Sequence, residues 1–215
     1  MSLAITQAIT TLSQAENRFS LVRVEAESFF SEWQTGLPAL TSNDQTKLDE
    51  LRQRCLYQRS EGQRSEGQLL EGTVMLLLAS PLLAIAGFYD PPFIVKAEES
   101  VQLHIYDPEE ILQGHMDVLV LKDHLWVVVL ESKKTALSAW AALPQTLAYL
   151  MANPQAEQPS FGMVTNGDDI FFIKLTRRSQ NQYALSRVFN AFTSKQELYT
   201  ALRILRNIGQ PAKRS

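Results

Sequence analysis

From Leu3 to Trp33 the apolar residues recur at Ile5, Ile9, Leu12, Phe19, Val22, Ala26, Phe29, Phe30 and Trp33, with little Pro or Gly between them. Most steps are three, four or seven residues, which predicts one long amphipathic helix stopped by Gly36 and Pro38. Thr41 to Asp44 offers a cap for a second helix over about 44–57, with Leu48, Leu51, Cys55 and Leu56 on one face. Two such helices cannot bury a core alone, so residues 1–60 are expected to form a helical arm on a body spanning 61–215. The stretch Arg59 to Gly67 repeats the unit RSEGQ imperfectly and reads as the hydrophilic connector between them.

A helix is expected over 68–87, buried and broken near Pro81. Its apolar run from Val74 to Phe88 is interrupted by Ser80 and Pro81 and falls short of the about 20 residues a bilayer span needs, so no membrane role is expected. After Tyr89 to Pro92 the pattern turns to strands. Residues 93–106 make the first, with Glu98 and Glu99 as a bend or exposed edge, and Asp107 to Glu110 make a turn. Met116 to Leu121 and Leu125 to Leu130 then flank Lys122, Asp123 and His124 as a hairpin. A helix follows over 136–152, restarting at Pro144. Phe161 to Thr165 and Ile170 to Leu175 form a second hairpin across Asn166-Gly167. Gln182 to Phe189 adds an edge strand, and Thr193-Ser194 caps a last helix over 195–208. The class this predicts is α/β, a mixed central sheet flanked by helices.

A hydrophobic content of 45% supports a full core, while the net charge of −3 and pI near 5.7 lack the global basicity of many nucleic-acid binders. A phosphate-binding charge can still be local. Arg177, Arg178, Arg203, Arg206, Lys213 and Arg214 concentrate it in the C-terminal third, as a solvated surface or a backbone-phosphate contact. The single Cys55 excludes an intramolecular disulfide and a Cys-rich zinc site, and with no signal-like N-terminus it fits a cytoplasmic location.

The chemistry concentrates around the first hairpin. Asp117 sits near the start of one strand, and Glu131 and Lys133 end the other on one face, with Ser132 on the opposite face. Asp117 joins that face only if the loop has an odd length, such as Asp123 to Leu125 or Lys122 to His124, or if a bulge restores the parity. Two carboxylates and an ammonium there suit Mg²⁺ or Mn²⁺, whose remaining positions accept water and phosphate oxygens. Such a centre serves metal-assisted phosphodiester hydrolysis. His104, His115 and His124 lack metal-site spacing, although His115, two residues from Asp117, is a candidate substrate contact.

Asp117, then Glu131-Ser132-Lys133, then Gln145 to Tyr149 on the following helix resemble the PD-(D/E)XK nuclease superfamily. The resemblance is closest to the N-terminal nuclease domain of type I restriction enzyme R subunits, with the QxxxY element also found in RecB-like nucleases. Phe161 to Gly167 and Ile170 to Leu175 are similar to the strand pair that follows this helix there, so the resemblance covers about Glu66 to Leu175. The Pro of the family name is absent, since Met116 precedes Asp117.

The resemblance implies a restriction-endonuclease-like fold and a metal-dependent DNA endonuclease. Asp117 and Glu131 would hold Mg²⁺, with the Ser132 carbonyl as a further ligand, Lys133 positioning the water and Gln145 supporting Lys133 or a phosphate. An acidic residue on the first core helix often approaches the metal in this family, which makes Glu71 a candidate, in competition with Glu66. The arm either packs on its own body or forms a homodimer, with Phe19, Phe29, Phe30 and Trp33 at the contact, that would supply two active sites for duplex cleavage. The chain carries no phosphate-binding loop, so ATP-driven motor activity is not expected. Two other readings stay open: cleavage of RNA or single strands by the same chemistry, and a non-catalytic module that binds nucleic acid or protein.

Overall fold

The computed structural model describes residues 2–64, 71–104, 111–121, 125–129 and 139–209. Its centre is a mixed sheet of nine strands: β1 (Ser2–Ala4), β2 (Leu21–Arg23), β3 (Ile94–His104), β4 (Ile111–Leu121), β5 (Leu125–Val129), β6 (Ser160–Thr165), β7 (Asp169–Arg177), β8 (Asn181–Leu185) and β9 (Phe189–Asn190). Strands β3, β4 and β5 pair as an antiparallel meander. Helix α6 (Leu143–Met151) then carries the chain to β6, which lies parallel to β5. The sheet continues antiparallel through β7 and β8 and ends on β2.

Alternation along the central strands divides the core in two. Met163 and Phe172 join Leu48, Leu51, Val74, Leu78, Leu82, Leu202 and Leu205 on one face of the sheet. That face is covered by α3 (Ser42–Arg64), by the helix formed from α4 (Glu71–Val74) and α5 (Ser80–Ala86), and by α7 (Lys195–Ile208). Val164, Phe171 and Ile173 face the other way, onto Leu143, Leu147 and Leu150 of α6. No helix among the described residues is long and apolar enough to cross a membrane.

The N-terminal segment packs on the body of the chain. Residues 3–33 do not form one helix: α1 (Ile5–Ala8) and α2 (Leu12–Phe19) are separated, and β1 and β2 flank them. Thr11 and Gln14 form a reciprocal capping box that starts α2, and Ser20, in the left-handed region at φ 49°, stops it. Leu21 to Arg23 then pair with Asn181 to Tyr183 of β8, while Ser2 to Ala4 pair with Ile111 to Gln113 of β4. The first 23 residues therefore run from one strand of the sheet to another across the face that carries α6, and Ile5 and Ile9 are fully buried there. Tyr183 donates to Glu16 at 2.6 Å, which ties α2 to β8.

Helix α3 begins on Thr41 and Asp44, which cap each other, and extends past the expected 44–57. Asp44 also accepts two bonds from Arg206 of α7, at 2.7 and 2.8 Å, and Arg206 donates to the Ile85 carbonyl of α5. One ion pair thereby joins three helices. The Arg206 guanidinium holds the Asp44 carboxyl well below the usual carboxylate range.

The expected break near Pro81 is a π-helical turn, Met75–Ala79, between α4 and α5. Pro81 has no N–H for the Leu77 carbonyl, its ordinary partner four residues back. The Cys55 thiol donates to that carbonyl instead, at 3.1 Å. Gly87, at φ +94°, closes the helix. Several other expectations hold: the restart at Pro144, the hairpin across Asn166-Gly167, and the last helix over Lys195–Ile208 with Ser194 as its cap. Strand β8 is not an edge, because β2 lies beyond it.

Candidate active site

The first hairpin lies inside the sheet, and its geometry is irregular at Asp117. On one side β3 runs antiparallel to β4, pairing Ala97 with Val118 and Glu99 with Met116. This register brings Glu98 and Asp117 to facing positions, yet the ladder skips that pair. On the other side β1 pairs only as far as Gln113, and β5 begins to pair only at Val118. The next residues of β5, Val128 and Val129, pair with Val164 and Thr165 of β6 and not with β4. The sheet forks at Gly114–Asp117.

Val118 pairs with Val127, which lies beside Met163 of the face covered by α3 and α7. Leu112, six positions earlier in the chain, packs instead in the core under α6. Strand β3 keeps one register along β4 on both sides of the skipped pair, from Ile94–Leu121 to His104–Ile111. Like charges at facing positions in a ladder repel, which gives a physical reason for the interruption to fall on the Glu98–Asp117 pair.

The hairpin register differs from the expected one. Val120 pairs with Leu125 and Val118 with Val127, which is the parity of an even loop. In a regular hairpin this would put Asp117 and Glu131 on opposite faces. Glu131, Ser132 and Lys133 lie outside the described residues, as do Glu66, the turn at Asp107 to Glu110, His124, Lys213 and Arg214.

Glu71 is the first residue of α4. A Cβ added to Gly167, in the turn after β6, would come within 2.9 Å of the Val74 side chain, so α4 lies over that turn. Because β5 runs parallel to β6, the chain leaves Val129 toward the same end of the sheet. Gln145 is half-buried, whereas every other residue from Ala142 to Leu150 is buried, Tyr149 among them. The helix thus presents one polar side chain with partial access to solvent, four residues before Tyr149. His104 is in β3 and His115 in β4, two positions from Asp117.

The basic residues of the C-terminal third are largely engaged within the chain. Arg177 donates to the Met151 and Asn153 carbonyls, Arg203 to those of Leu37 and Pro38, and Arg206 to Asp44. Phe19 and Phe30 are buried, and Phe29 and Trp33 pack against the core of their own chain. The apolar surface invoked for a dimer through the arm is therefore covered from within.

Among the described residues no three His, Cys, Asp or Glu side chains assemble into a metal-binding group. Sequence reading took Glu98 for a bend or an exposed edge, and the register moves it opposite Asp117. The signal available for this was the length of the two strands, which fixes their pairing once the turn at 105–110 is granted. No protein-family model matches the chain, and no curated protein aligns with it significantly.

Proposed function

We propose that the chain is a metal-dependent endonuclease that hydrolyses DNA phosphodiester bonds, on a restriction-endonuclease-like fold. The observation that carries this reading is the fork at Asp117. A carboxylate-bearing position stands where the ladders to both neighbouring strands are interrupted, opposite a second acidic residue, Glu98. The order of elements supports it as well, since β5 leads by way of Glu131 and Lys133 to the helix that carries Gln145.

The donor chemistry fits a hard divalent cation. Acidic residues drawn to one break in a sheet repel each other unless a cation or protons neutralise them, and carboxylate oxygens are the ligands that Mg²⁺ and Mn²⁺ select. Asp117 and Glu131 would hold the ion, with the Ser132 carbonyl and Glu71 as further ligands. When bound, the cation neutralises phosphate charge and lowers the pKa of a coordinated water. Lys133 orients the attacking water and offsets the charge on the phosphate, while Gln145 fixes Lys133 or a phosphate oxygen by hydrogen bonding.

The test is nicking of supercoiled plasmid with Mg²⁺ or Mn²⁺, wild type beside Lys133→Ala. Cleavage by the wild type that needs the metal and is lost in the variant supports the proposal. Equal cleavage by both, or none by either, overturns it. The engagement of Arg177, Arg203 and Arg206 within the chain favours a second reading, a non-catalytic module that binds nucleic acid or protein. That reading predicts binding without cleavage in the same experiment.

A further inference from the structure

The turn that follows β6 carries a charge pair at the same end of the sheet as the fork. The Asn166 side chain accepts from the N–H groups of Asp168 and Asp169, and the Thr165 hydroxyl accepts from that of Gly167, which fixes the turn. Asn190 donates to the Asp169 carboxylate, whereas the Asp168 carboxylate meets Arg59 of α3 at 2.7 Å. The Arg59 guanidinium also lies over the Phe192 ring, 5.0 Å from its centre. Two helical turns earlier, Arg52 donates to the Ala191 and Phe192 carbonyls and so holds the segment that bears this ring.

Arg52, Arg177 and Arg203 are committed to backbone carbonyls. Arg59 is held by one carboxylate, with side chains 34% and 40% exposed, and a guanidinium has five donors to offer. Burial raises the Asp168 carboxyl in spite of Arg59, and the charge of Asp169 adds to the rise, so this anion is a weak holder. Val118, Val127 and Met163 form one row across β4, β5 and β6. Asp117 and the turn at Asn166 to Asp168 lie beyond that row at the same end, on strands two spacings or about 10 Å apart. Each strand of duplex DNA carries a phosphate about every 3.4 Å along its axis. A duplex with its scissile phosphate at the fork therefore brings neighbouring phosphates to the turn.

We propose that Arg59 exchanges Asp168 for a phosphate of bound duplex DNA and anchors the backbone beside the candidate metal centre. Asp168 then acts as an internal competitor that keeps the guanidinium in place until DNA arrives. The ligand assigned here rests on the nuclease reading, but the test reads binding and not cleavage.

The test is fluorescence anisotropy of the full chain with a labelled duplex, without added metal so that nothing is cut, over a range of KCl concentrations. Circular dichroism confirms that each variant is folded. Arg59→Gln should bind about tenfold more weakly, with the slope of log K against log salt reduced by about one, as for a lost phosphate contact. Asp168→Asn should bind more tightly, and this gain should vanish when Arg59→Gln is added. A wild type that binds no duplex, or an Arg59→Gln with unchanged affinity and slope, overturns the proposal. An equal gain from Asp168→Asn with and without Arg59 also overturns it, since that is a general effect of net charge. Binding that depends on Arg59, with no cleavage once Mg²⁺ is added, upholds the contact and sinks only the nuclease reading.

Discussion

Replacing Asp44 by Ala should be among the most damaging single changes outside the candidate site. Asp44 is 7% exposed, and its carboxylate accepts from Arg206 twice, at 2.7 and 2.8 Å, and from Thr41 through both its backbone N–H and its hydroxyl. Removal leaves the guanidinium partly buried without its anion and takes away the carboxylate half of the reciprocal cap with Thr41, while the Asp44 N–H still donates to the Thr41 hydroxyl. Breaking a buried pair typically costs about 3–5 kcal/mol and losing a cap about 1 kcal/mol. Arg206 keeps its bond to the Ile85 carbonyl and is itself partly exposed. These soften the loss to about 3 kcal/mol, or roughly 6–12 °C in Tm for a chain of this size. The pH dependence carries a sign. The folded carboxyl titrates below its ordinary value, so the stability it contributes is present above about pH 4 and is lost as the pH falls through the folded pKa. Urea unfolding of wild type and Asp44→Ala should give a constant difference between pH 5 and 8 that shrinks below pH 4. A difference under about 1 kcal/mol at pH 7, the value usual for an exposed pair, would refute the reasoning.

Burial raises the Cys55 thiol to about 11. The folded chain should therefore resist alkylation at pH 8 and react fully once unfolded in denaturant; rapid native labelling would contradict the buried contact with Leu77. As the thiolate is disfavoured in the fold, the contribution of Cys55 to stability is complete at neutral pH and lost as the pH rises toward 11, a loss Cys55→Ala should not show. Gly167→Ala should cost about 1–3 kcal/mol by thermal unfolding, because φ is +96° and the new Cβ would meet Val74 at 2.9 Å. Deleting residues 1–60 should yield a chain without cooperative unfolding by circular dichroism, because it removes β1, β2 and the buried Leu48 and Leu51; a folded truncation would restore the separable arm.

Much of the architecture was legible because long periodic segments and turn chemistry state it locally. Ser194 ahead of an amphipathic run gives α7, Asn166-Gly167 between two apolar segments gives the β6–β7 hairpin, and Pro144 marks where α6 restarts. The apolar spacing of the N-terminal segment suits a helix, while the decision lies in the capping box Thr11–Gln14 and in strand partners 109 and 160 residues away. Three-residue strands such as β1 and β2 carry almost no pattern of their own; tertiary pairing selects them. At the candidate site the residue types were legible and the register was not. Whether Asp117 and Glu131 share a face turns on the parity of one loop. Glu98 was hidden for the same reason, since its neighbour across the sheet is set by pairing and not by sequence distance.

The claim that the fork at Asp117 holds a divalent cation is tested most directly by titrating Mn²⁺ into the wild type and Asp117→Asn, following free Mn²⁺ by electron paramagnetic resonance. The wild type should bind the ion. Asp117→Asn should bind it at least tenfold more weakly, with a metal-free Tm equal to or higher than that of the wild type, because one of the repelling carboxylates is gone. Undiminished binding in Asp117→Asn, or no binding by the wild type, would contradict the account.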